Sequence, residues 1–410
     1  MSSSHGVTCL RCVVCARTYP DEAIYTCSHC GAEGILEVEY DYELVKPLLT
    51  REVLQTRPFD LWRYRELLPI SPEASRPHLQ TGGTPIYHTP RLARALGVRE
   101  LWVKDEGRNP TGSFKDRASA IGVMKAREFG FEAIACASTG NAASSLAGMA
   151  AAMGLRRYIF VPERAPEAKV AQLLIFGATV LQVRGSYDEA YELCNAACEK
   201  YGWYNRNCAI NAYLIEGKKT AGLELAEQMA ARMPDWIVFA VGDGCTIAGV
   251  WNGLCEMQRL GFITRRPRLL GVQAEGAAAM VRAYETQRPP IAVRAETCAD
   301  SICVGQPRNW RKATKAVRDS GGAMLAVRDE EILEAMRLLA REAAVFGEPA
   351  GATALAGLKK ALQHSVITAE ASALVANTGN GLKDVASALR ATAKPNMIEP
   401  NLHNVAAVVE

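Results

Sequence analysis

The sequence contains no apolar run of about 18 residues, the length that a membrane-spanning helix needs, and its first residues lack the apolar core of a secretion signal. The formal net charge is only +3, because 47 Lys and Arg are mixed with 44 Asp and Glu along the chain. Such a balance provides no basic surface for nucleic acid. Internal repeats and low-complexity segments are also missing. We therefore expect a cytoplasmic protein with neither a nucleic-acid nor a membrane partner.

The hydrophobic fraction, 49% of 410 residues, is large enough for sizeable buried cores. A chain of this length is too long for one small core, so we expect two domains and an appendage. Thirteen cysteines could indicate a secreted disulfide scaffold. Only five of them cluster, within Cys9–Cys30, and the other eight are scattered. Scattered cysteines in a long cytosolic chain usually serve as small buried hydrophobic residues.

The clustered cysteines have the spacing of a metal-binding ribbon. Two C-x-x-C pairs are separated by eleven residues, and two such turns can close a tetrahedral four-cysteine zinc site. The predicted ligands are Cys12, Cys15, Cys27 and Cys30. A closed site of this kind is structural, so we expect zinc to take no part in the chemistry. Cys9 and His29 are further candidate ligands, and a ribbon without metal is the alternative.

A ribbon could also bind nucleic acid or another protein. Acidic residues weaken that alternative here: Asp21, Glu22, Glu33, Glu37 and Glu39. The segment Ile35–Tyr40 reads as a strand that would complete the ribbon.

The rest of the chain alternates short apolar runs with amphipathic helical stretches. Residues 41–76 look like a helical connector that is broken by prolines. The predicted strands are Leu101–Lys104, Ala133–Ser138, Tyr158–Pro162, Val180–Arg184, Trp236–Val241, Leu269–Ala274 and Ala373–Asn377. Short strands separated by helices indicate βαβ units. The predicted fold class is therefore α/β with open parallel sheets covered on both faces.

One lysine lies in an unusual setting. Lys115 follows the small-residue turn Asn109–Ser113 and precedes the apolar-periodic stretch Ala118–Met124, which places it where a loop becomes a helix. Backbone N–H groups and the positive end of a helix dipole lie at such a junction. An ammonium group there gives up its proton more easily, which favours Schiff-base chemistry. The alternative is a surface lysine that merely begins a helix.

The segment Asn109–Arg117 resembles the pyridoxal-phosphate lysine motif of threonine synthases, which belong to the tryptophan-synthase-β-like fold type II. The resemblance implies that Lys115 binds the cofactor and is the catalytic residue. It also implies two α/β domains, the larger built from residues 41–115 and 209–410 and the smaller from 116–208, after a zinc-ribbon-like segment at 1–40. Ribbons of this kind precede many threonine-synthase-like chains. Homodimers are typical of the family.

Three further segments lie at ends of predicted strands, where open α/β sheets bind ligands, and the first two match family blocks. Ser138-Thr139-Gly140-Asn141 opens a helix; the resemblance places Asn141 at the cofactor's ring hydroxyl and makes Ser138 and Thr139 candidates for the substrate carboxylate. A simple helix cap is the alternative. Thr378, in Thr378–Asp384, is the residue that meets the pyridine nitrogen in the family. Glu348, in another matching block, is expected to have a structural or ring-adjacent role.

The third segment is a glycine-rich turn that follows Trp236–Val241. Its residues are Gly242, Asp243, Gly244, Cys245 and Thr246. Glycines let backbone N–H groups converge on an anion, and a threonine adds a hydroxyl, so we predict that this loop binds the cofactor phosphate. Any tight strand-to-helix turn could have the same composition. A carboxylate is unfavourable beside phosphate, so Asp243 is expected to point away.

The resemblance implies a lyase that converts O-phosphohomoserine and water to threonine and phosphate. The chain departs from the family where arginines are usual, because it has Leu214 and Cys303 there. Lys218, Arg308 or Arg164 could replace the missing charge. The alternatives are elimination or β-replacement on a serine-, threonine- or phosphoserine-like amino acid, as in dehydratases or cysteate synthase, and a non-catalytic regulatory or nucleic-acid-binding protein.

Overall fold

The computed structural model describes residues 6–163, 165, 167–185 and 187–409. The chain begins with a small antiparallel sheet that contains both cysteine pairs. Its strands are β1 (Val7–Cys12), β2 (Thr18–Tyr19), β3 (Thr26–Cys27) and β4 (Gly31–Tyr40), in the order β2-β1-β4-β3. The predicted strand Ile35–Tyr40 is the second half of β4. We call residues 6–40 the ribbon.

The connector after the ribbon has only short helices. They are α1 (Tyr42–Val45), α2 (Arg51–Gln55) and a 3-10 helix at Leu61–Leu67. Strand β5 (Ile86–His88), helix α3 (Pro90–Leu96) and strand β6 (Glu100–Asp105) follow and start the large sheet. Helix α4 (Lys115–Glu128) comes next and begins at the predicted lysine.

A four-stranded parallel sheet lies within residues 133–205. Its strands are β7 (Ala133–Ala137), β8 (Arg156–Pro162), β9 (Thr179–Val183) and β10 (Tyr204–Asn205), in the order β10-β7-β8-β9. The helices between them are α5 (Asn141–Ala152), α6 (Glu167–Ile175) and α7 (Tyr187–Tyr201). We call this the small sheet.

The remaining elements complete a six-stranded sheet. They are α8 (Ala212–Gln228), β11 (Trp236–Ala240), α9 (Cys245–Arg259), β12 (Arg268–Ala274), α10 (Ala279–Thr286), α11 (Trp310–Asp319), β13 (Ala323–Val327), α12 (Asp329–Ala343), α13 (Pro349–Gln363), β14 (Ser372–Asn377), α14 (Val385–Arg390) and α15 (Leu402–Val409). The strand order is β13-β12-β11-β14-β6-β5, parallel except for β5. The α/β fold with parallel sheets is therefore confirmed.

All seven predicted strands form, with ends shifted by at most two residues. Every residue of β11 and β14 is buried, as expected for strands covered on both faces. Sequence analysis missed β5, β10 and β13 in the two parallel sheets and β1, β2 and β3 in the ribbon. No helix of the described residues is both long and apolar enough to cross a membrane.

Helix α8 packs between α4 and α9, and glycine makes the close approach possible. A Cβ on Gly217 would lie 2.1 Å from the Arg117 carbonyl oxygen, and one on Gly222 would lie 2.2 Å from that of Val250. Neither position could hold a side chain without moving a backbone.

A buried network of four charges fixes the first turn of α4. Arg117 Nε lies 2.7 Å from Glu106 Oε2, and Arg117 Nη2 lies 3.0 Å from Glu224 Oε2. Lys104 Nζ, on β6, lies 2.7 Å from Glu224 Oε1. Glu224 also accepts hydrogen bonds from the backbone N–H groups of Gly83 and Thr84. Strand β6 and helices α4 and α8 are thereby joined at one point.

We expect Glu224→Gln to lower the free energy of unfolding by about 3–5 kcal/mol at pH 7, because it leaves buried cations without full compensation. Burial by itself would raise the pKa of Glu224, but Arg117 and Lys104 outweigh it and hold the pKa at about 2. A carboxyl with a lowered pKa stabilises the fold above its unfolded pKa and loses that effect as the pH falls towards 2. The difference between wild type and variant should therefore narrow below about pH 4.

The measurement is urea unfolding of both proteins from pH 3 to pH 8. Glu342→Gln is the matched control, since Glu342 pairs with Arg91 on the surface and should change stability by less than about 1 kcal/mol. An equal deficit at pH 3 and pH 7 would contradict the role given to the ionised carboxylate.

Candidate active site

The residues around Lys115 hold the loop, while Lys115 itself faces a cavity. The Phe114 N–H donates to the Thr378 carbonyl, 2.9 Å, and the Asn380 N–H donates to the Gly112 carbonyl, 2.9 Å. The Asp116 carboxylate accepts from the Thr111 N–H, 2.7 Å. The lysine motif is thus tied to the loop after β14, and its other conspicuous residues have structural partners.

The cavity has a volume of about 620 Å³ and lies at the carboxyl ends of strands from both parallel sheets. Every residue that the sequence singled out for cofactor or substrate lines it: Lys115, Ser138, Thr139, Asn141, Gly242, Asp243, Gly244, Cys245, Thr246 and Thr378. Loops after β7, β11 and β14 converge there, as expected where parallel strands end at one edge. One compartment therefore contains a lysine, two helix N-termini and several hydroxyl groups.

The glycine-rich turn fits a phosphate group. Gly244 has φ +89°, and a Cβ there would lie 2.5 Å from the Ala313 Cβ, so the sharp entry into α9 requires glycine. The turn leaves the N-terminus of α9 and the Thr246 side chain open to the cavity. Asp243 Oδ1 accepts from the Arg308 N–H, 3.1 Å, which holds this carboxylate oxygen on the loop around residue 308.

Asn141, the first residue of α5, is held by the large sheet's loops. Its side-chain amide donates to Glu348 Oε1 and to Ser301 Oγ, 3.2 Å. Burial raises the pKa of Glu348 to about 7, and the nearby Asp300 adds to the shift. A carboxyl group in this cavity can therefore change its protonation state near neutral pH.

Burial and the positive charge of Lys218 together lower the pKa of Lys115 to about 8, and burial is the larger cause. The sequence argument attributed this effect to the helix dipole, whereas the structure assigns it mainly to desolvation and a second cation. The chemical result is the same, since about a tenth of the lysine is a free amine one pH unit below a pKa of about 8, far more than for an ordinary lysine.

Sequence reasoning missed most of a cluster at the other end of the cavity: Arg206, Asn207, Cys208 and Lys218. Only Lys218 was considered there. Arg206 and Lys218 are 2% and 3% exposed, and in the described part of the chain neither forms an ion pair with a carboxylate. Arg206 Nε is buried without a hydrogen-bond partner. The sequence pattern that could have indicated this cluster was weak, because the strand before Arg206 is only two residues long.

The thiol of Cys208 is one source of negative charge beside these cations. A hydrogen bond from Cys245 and the charges of Lys218 and Arg206 hold the pKa of Cys208 well below its usual value, against the opposing effect of burial. A thiolate is a single, soft charge. Two buried cations beside one thiolate leave the cluster short of negative charge, which an anionic ligand would supply.

The two positions at which the family resemblance predicts arginine have different surroundings. Leu214 is fully buried, and its Cδ2 would lie 2.6 Å from a Cβ on Gly122, so it packs against α4 outside the cavity. Cys303 lines the cavity. The Arg308 guanidinium lies 4.3 Å from the ring centre of Tyr191. Arg164 lies outside the described residues.

The ribbon brings its two cysteine pairs together. The Sγ atoms of Cys12, Cys15, Cys27 and Cys30 all lie within 4.8 Å of one another. The Cys15 and Cys27 sulfurs are 3.6 Å apart, close to the spacing of about 3.8 Å that zinc–sulfur bonds of about 2.3 Å give in a tetrahedron. A Cβ on Gly34 would lie 2.6 Å from the Cβ atoms of Cys27 and Cys30. Cys9 and His29 are not members of this group.

The α/β fold and the cavity that Lys115 lines point to one class of protein, and sequence comparison agrees. Residues 78–379 match the profile of the pyridoxal-phosphate dependent enzymes. The chain belongs to this family of pyridoxal-phosphate dependent enzymes.

Within the family the relatives are threonine synthases. The chain is 41% identical to the threonine synthase of Methanocaldococcus jannaschii, over 96% of this chain and 97% of the relative. It is 40% identical to that of Methanosarcina acetivorans, over 96% of each chain. Both alignments therefore span nearly the whole chain.

Solved structures show the same fold. A threonine deaminase isoform from Solanum lycopersicum superimposes with a TM-score of 0.66 at 23% identity, covering 75% of this chain and 87% of that one. Diaminopropionate ammonia lyase from Escherichia coli superimposes with a TM-score of 0.66 at 19% identity, covering 84% and 92%.

We expect the purified protein to take up pyridoxal phosphate with a visible absorbance band near roughly 410–430 nm, and Lys115→Ala to lack it. The rate of uptake by cofactor-free protein should rise with pH, with a midpoint near 8, because only the free amine reacts. Stopped-flow absorbance between pH 6 and pH 10.5 measures this. A midpoint above pH 10, or a band that persists in Lys115→Ala, would rule out the assignment; Lys200→Ala on α7 is the control.

Proposed function

We propose that the protein is a carbon–oxygen lyase that converts O-phosphohomoserine and water into threonine and phosphate. The observation that carries the proposal is the cavity itself, where Lys115 and a phosphate-binding turn lie together with two buried cations that lack carboxylate partners. A phosphorylated amino acid supplies the missing charge, whereas an uncharged side chain such as that of serine does not. The threonine synthase relatives, which match nearly the whole chain, support the same reaction.

The residues present fit pyridoxal phosphate. In this proposal the turn Gly242–Thr246 binds its phosphate, Asn141 faces its ring hydroxyl and Thr378 faces its ring nitrogen. When bound, the cofactor withdraws electrons from the substrate's α carbon. A threonine hydroxyl beside the ring nitrogen, in place of a carboxylate, leaves that nitrogen less protonated, which favours elimination and replacement over transamination.

The chain's own groups do the remaining work. Ser138 and Thr139, before the N-terminus of α5, bind the substrate carboxylate. Lys115 Nζ, when it is a free amine, would take protons from the α and β carbons and return protons to the γ and α carbons, while water adds at the β carbon. Arg206 and Lys218 bind the phosphate that leaves. Lys218 lies one helical turn after Leu214 on α8, so a cation reaches the cavity although the usual position is apolar.

Replacing Lys218 or Arg206 with Met should lower kcat/KM for O-phosphohomoserine about 10- to 100-fold, since a charge-assisted hydrogen bond contributes about 1.5–3 kcal/mol. Coupled assays of phosphate release and threonine formation measure the loss. Lys315→Met, at an exposed position on α11, is the matched control. Unchanged kcat/KM in both cavity variants would contradict the anion site.

The second candidate is elimination or β-replacement on a serine-, threonine- or phosphoserine-like amino acid. The apolar Leu214 and the uncharged Cys303 at the usual arginine positions favour it. O-phosphohomoserine and O-phosphoserine separate the two reactions, because their phosphates lie on the γ and β carbons. Formation of pyruvate, or of a β-replaced product, from O-phosphoserine with no threonine from O-phosphohomoserine would establish the second candidate.

We also propose that the four ribbon cysteines bind one structural zinc ion. Cys30→Ser should lower the zinc content of purified protein well below one per chain, because zinc in a structural site needs all four ligands. Cys9→Ser is the control, since Cys9 lies outside the cluster, and it should keep the metal. Metal analysis by mass spectrometry decides the matter; full zinc in Cys30→Ser would contradict the assignment.

Two further points belong to this proposal. The protein acts in the cytoplasm as a homodimer, and its domains divide at the boundaries expected from the sequence. Exposed apolar side chains on and beside α14 support an interface: Leu382, Val385 and Leu389. Light scattering of the purified protein measures the mass.

A further inference from the structure

The ribbon does not stand apart from the catalytic body. Its β4 strand is fixed to α11, where Lys312 Nζ donates to the Leu36 carbonyl, 2.6 Å. More important for the cavity are three polar side chains, which we call the ribbon anchors: Asp21, Tyr25 and Tyr40. Each contacts a segment that leads directly to cavity residues.

Tyr25 holds the strand that precedes the cation cluster. Its hydroxyl accepts a hydrogen bond from the Asn205 N–H, 2.9 Å, and its ring meets that of Tyr204 edge-on at 6.0 Å. The Asn205 side chain then accepts from the Asn207 N–H, 2.9 Å. Asn207 Oδ1 in turn accepts from the Ala137 N–H, 3.1 Å. The ribbon therefore supports the backbone on which Arg206, Asn207 and Cys208 face the cavity.

Asp21 joins the ribbon to two helices. Its carboxylate accepts from the Tyr213 hydroxyl, 2.7 Å, on α8 and from Lys125 Nζ, 3.2 Å, on α4. The Lys125 ammonium is 2% exposed and lies 4.6 Å from the ring centre of Tyr213. The two helices are those that carry Lys218 and Lys115. An ionic contact from the ribbon thus bridges the elements that position both cavity lysines.

Tyr40 contacts the residues beside Lys218. Its hydroxyl donates to Glu216 Oε2, 2.6 Å, and the Lys219 ammonium lies 4.0 Å from its ring centre. Glu216 and Lys219 are both buried, and Lys219 also pairs with Glu256 on α9 at 3.0 Å. The same turn of α8 therefore faces the ribbon on one side and the cavity on another.

We propose that the four-cysteine ribbon positions the active site. Through Asp21, Tyr25 and Tyr40 it holds Tyr204–Asn205 and the first turns of α8, and it thereby keeps in place the cavity residues Arg206, Asn207, Cys208 and Lys218. Metal binding at the cysteines and cofactor binding in the cavity therefore strengthen each other. The inference deepens the proposed function but needs only the metal and the cofactor. Its failure is therefore distinguishable from failure of the threonine reaction.

The physical reason lies in the short chain between the two cysteine pairs. Asp21 and Tyr25 both fall within residues 16–26, where regular structure is limited to the two-residue strands β2 and β3. A segment with so few strand contacts takes its position largely from the closure of its ends. Metal bound to Cys15 and Cys27 provides that closure. Metal release would free both anchors while leaving the large sheet's own contacts intact.

The decisive variant is Tyr25→Phe, which keeps the ring and all four cysteines but removes the acceptor of the Asn205 N–H. We expect it to retain one metal ion per chain and to weaken pyridoxal-phosphate binding about tenfold, the effect of leaving one buried donor unsatisfied. Amide hydrogen exchange should accelerate in residues 204–215 and stay unchanged in α12, which packs against α3, α13 and α14.

Arg11→Ala is the matched control, since Arg11 pairs with Glu39 on the ribbon's exposed surface. It should leave the metal content, cofactor affinity and exchange rates at wild-type values. Asp21→Asn, which removes the charge beside Lys125, should behave like Tyr25→Phe. Cofactor affinity is measured by absorbance titration without substrate.

A second readout tests the coupling in the opposite direction. Thermodynamic linkage requires that saturating cofactor strengthen metal retention by the same factor as metal strengthens cofactor binding. We expect a chelator to require a higher concentration to strip the holoenzyme than the cofactor-free protein, and this difference to shrink in Tyr25→Phe. The proposal would be overturned if both Tyr25→Phe and Asp21→Asn kept wild-type cofactor affinity, exchange rates and metal retention. That conclusion would hold even if chelation alone unfolds the protein.

Discussion

The position of Lys115 depends on the buried ion network of Arg117. The guanidinium lies only two residues from the lysine and is held by Glu106 and Glu224, which also bind Lys104 and the Gly83–Thr84 backbone. These contacts fix the first turn of α4 against β6 and α8. A lysine at a freely hydrated helix start would sample many directions, whereas this one is directed into a single cavity. Burying these charged groups costs desolvation free energy, and what the network contributes is the fixed geometry of the first turn of α4.

Charge in the cavity is distributed unevenly, and this imbalance gives the site its chemistry. Lys115, Arg206 and Lys218 are buried in the same cavity, and the charges of Lys218 and Arg206 both disfavour the charged form of Lys115. The pKa of Lys115 falls to about 8 as a result of burial and of Lys218. At the other side, burial and Asp300 raise the pKa of Glu348 to about 7. A free amine and an exchangeable carboxyl proton are therefore both available near neutral pH.

The same imbalance underlies the proposed anion site, although Leu214 and Cys303 occupy the positions at which the family resemblance predicts arginines. Leu214 packs against Gly122 in the space between α8 and α4, where it adds apolar contact. The cation one turn later on α8 faces the cavity, and the guanidinium of Arg206 comes from a different strand. The ribbon reaches this region from outside through Asp21, Tyr25 and Tyr40. Cofactor site, anion site and ribbon thus share helix α8 as their common support.

The local sequence was sufficient to predict a feature wherever that feature depends on residues that are neighbours along the chain. Continuous apolar runs such as those of β11 and β14 predict strands that are buried on both faces. The glycine turn before α9 could be predicted because Gly244 needs positive φ. The C-x-x-C pairs have a spacing that only metal geometry explains well. In contrast, β10 is two residues long, so its pattern carried no signal, and β5 pairs antiparallel at an edge.

The sequence by itself therefore determined the α/β class, the lysine and the loops that surround it, since these follow from hydrophobic periodicity, turn chemistry and short motifs. Only the tertiary structure decided that Arg206 and Lys218 lie together with no ion pair to a carboxylate among the described residues, that Leu214 packs outside the cavity, and that the ribbon touches α8. Residues brought together from separate segments acquire their charge state and orientation from each other. Burial and long-range packing, which no local pattern encodes, determine both.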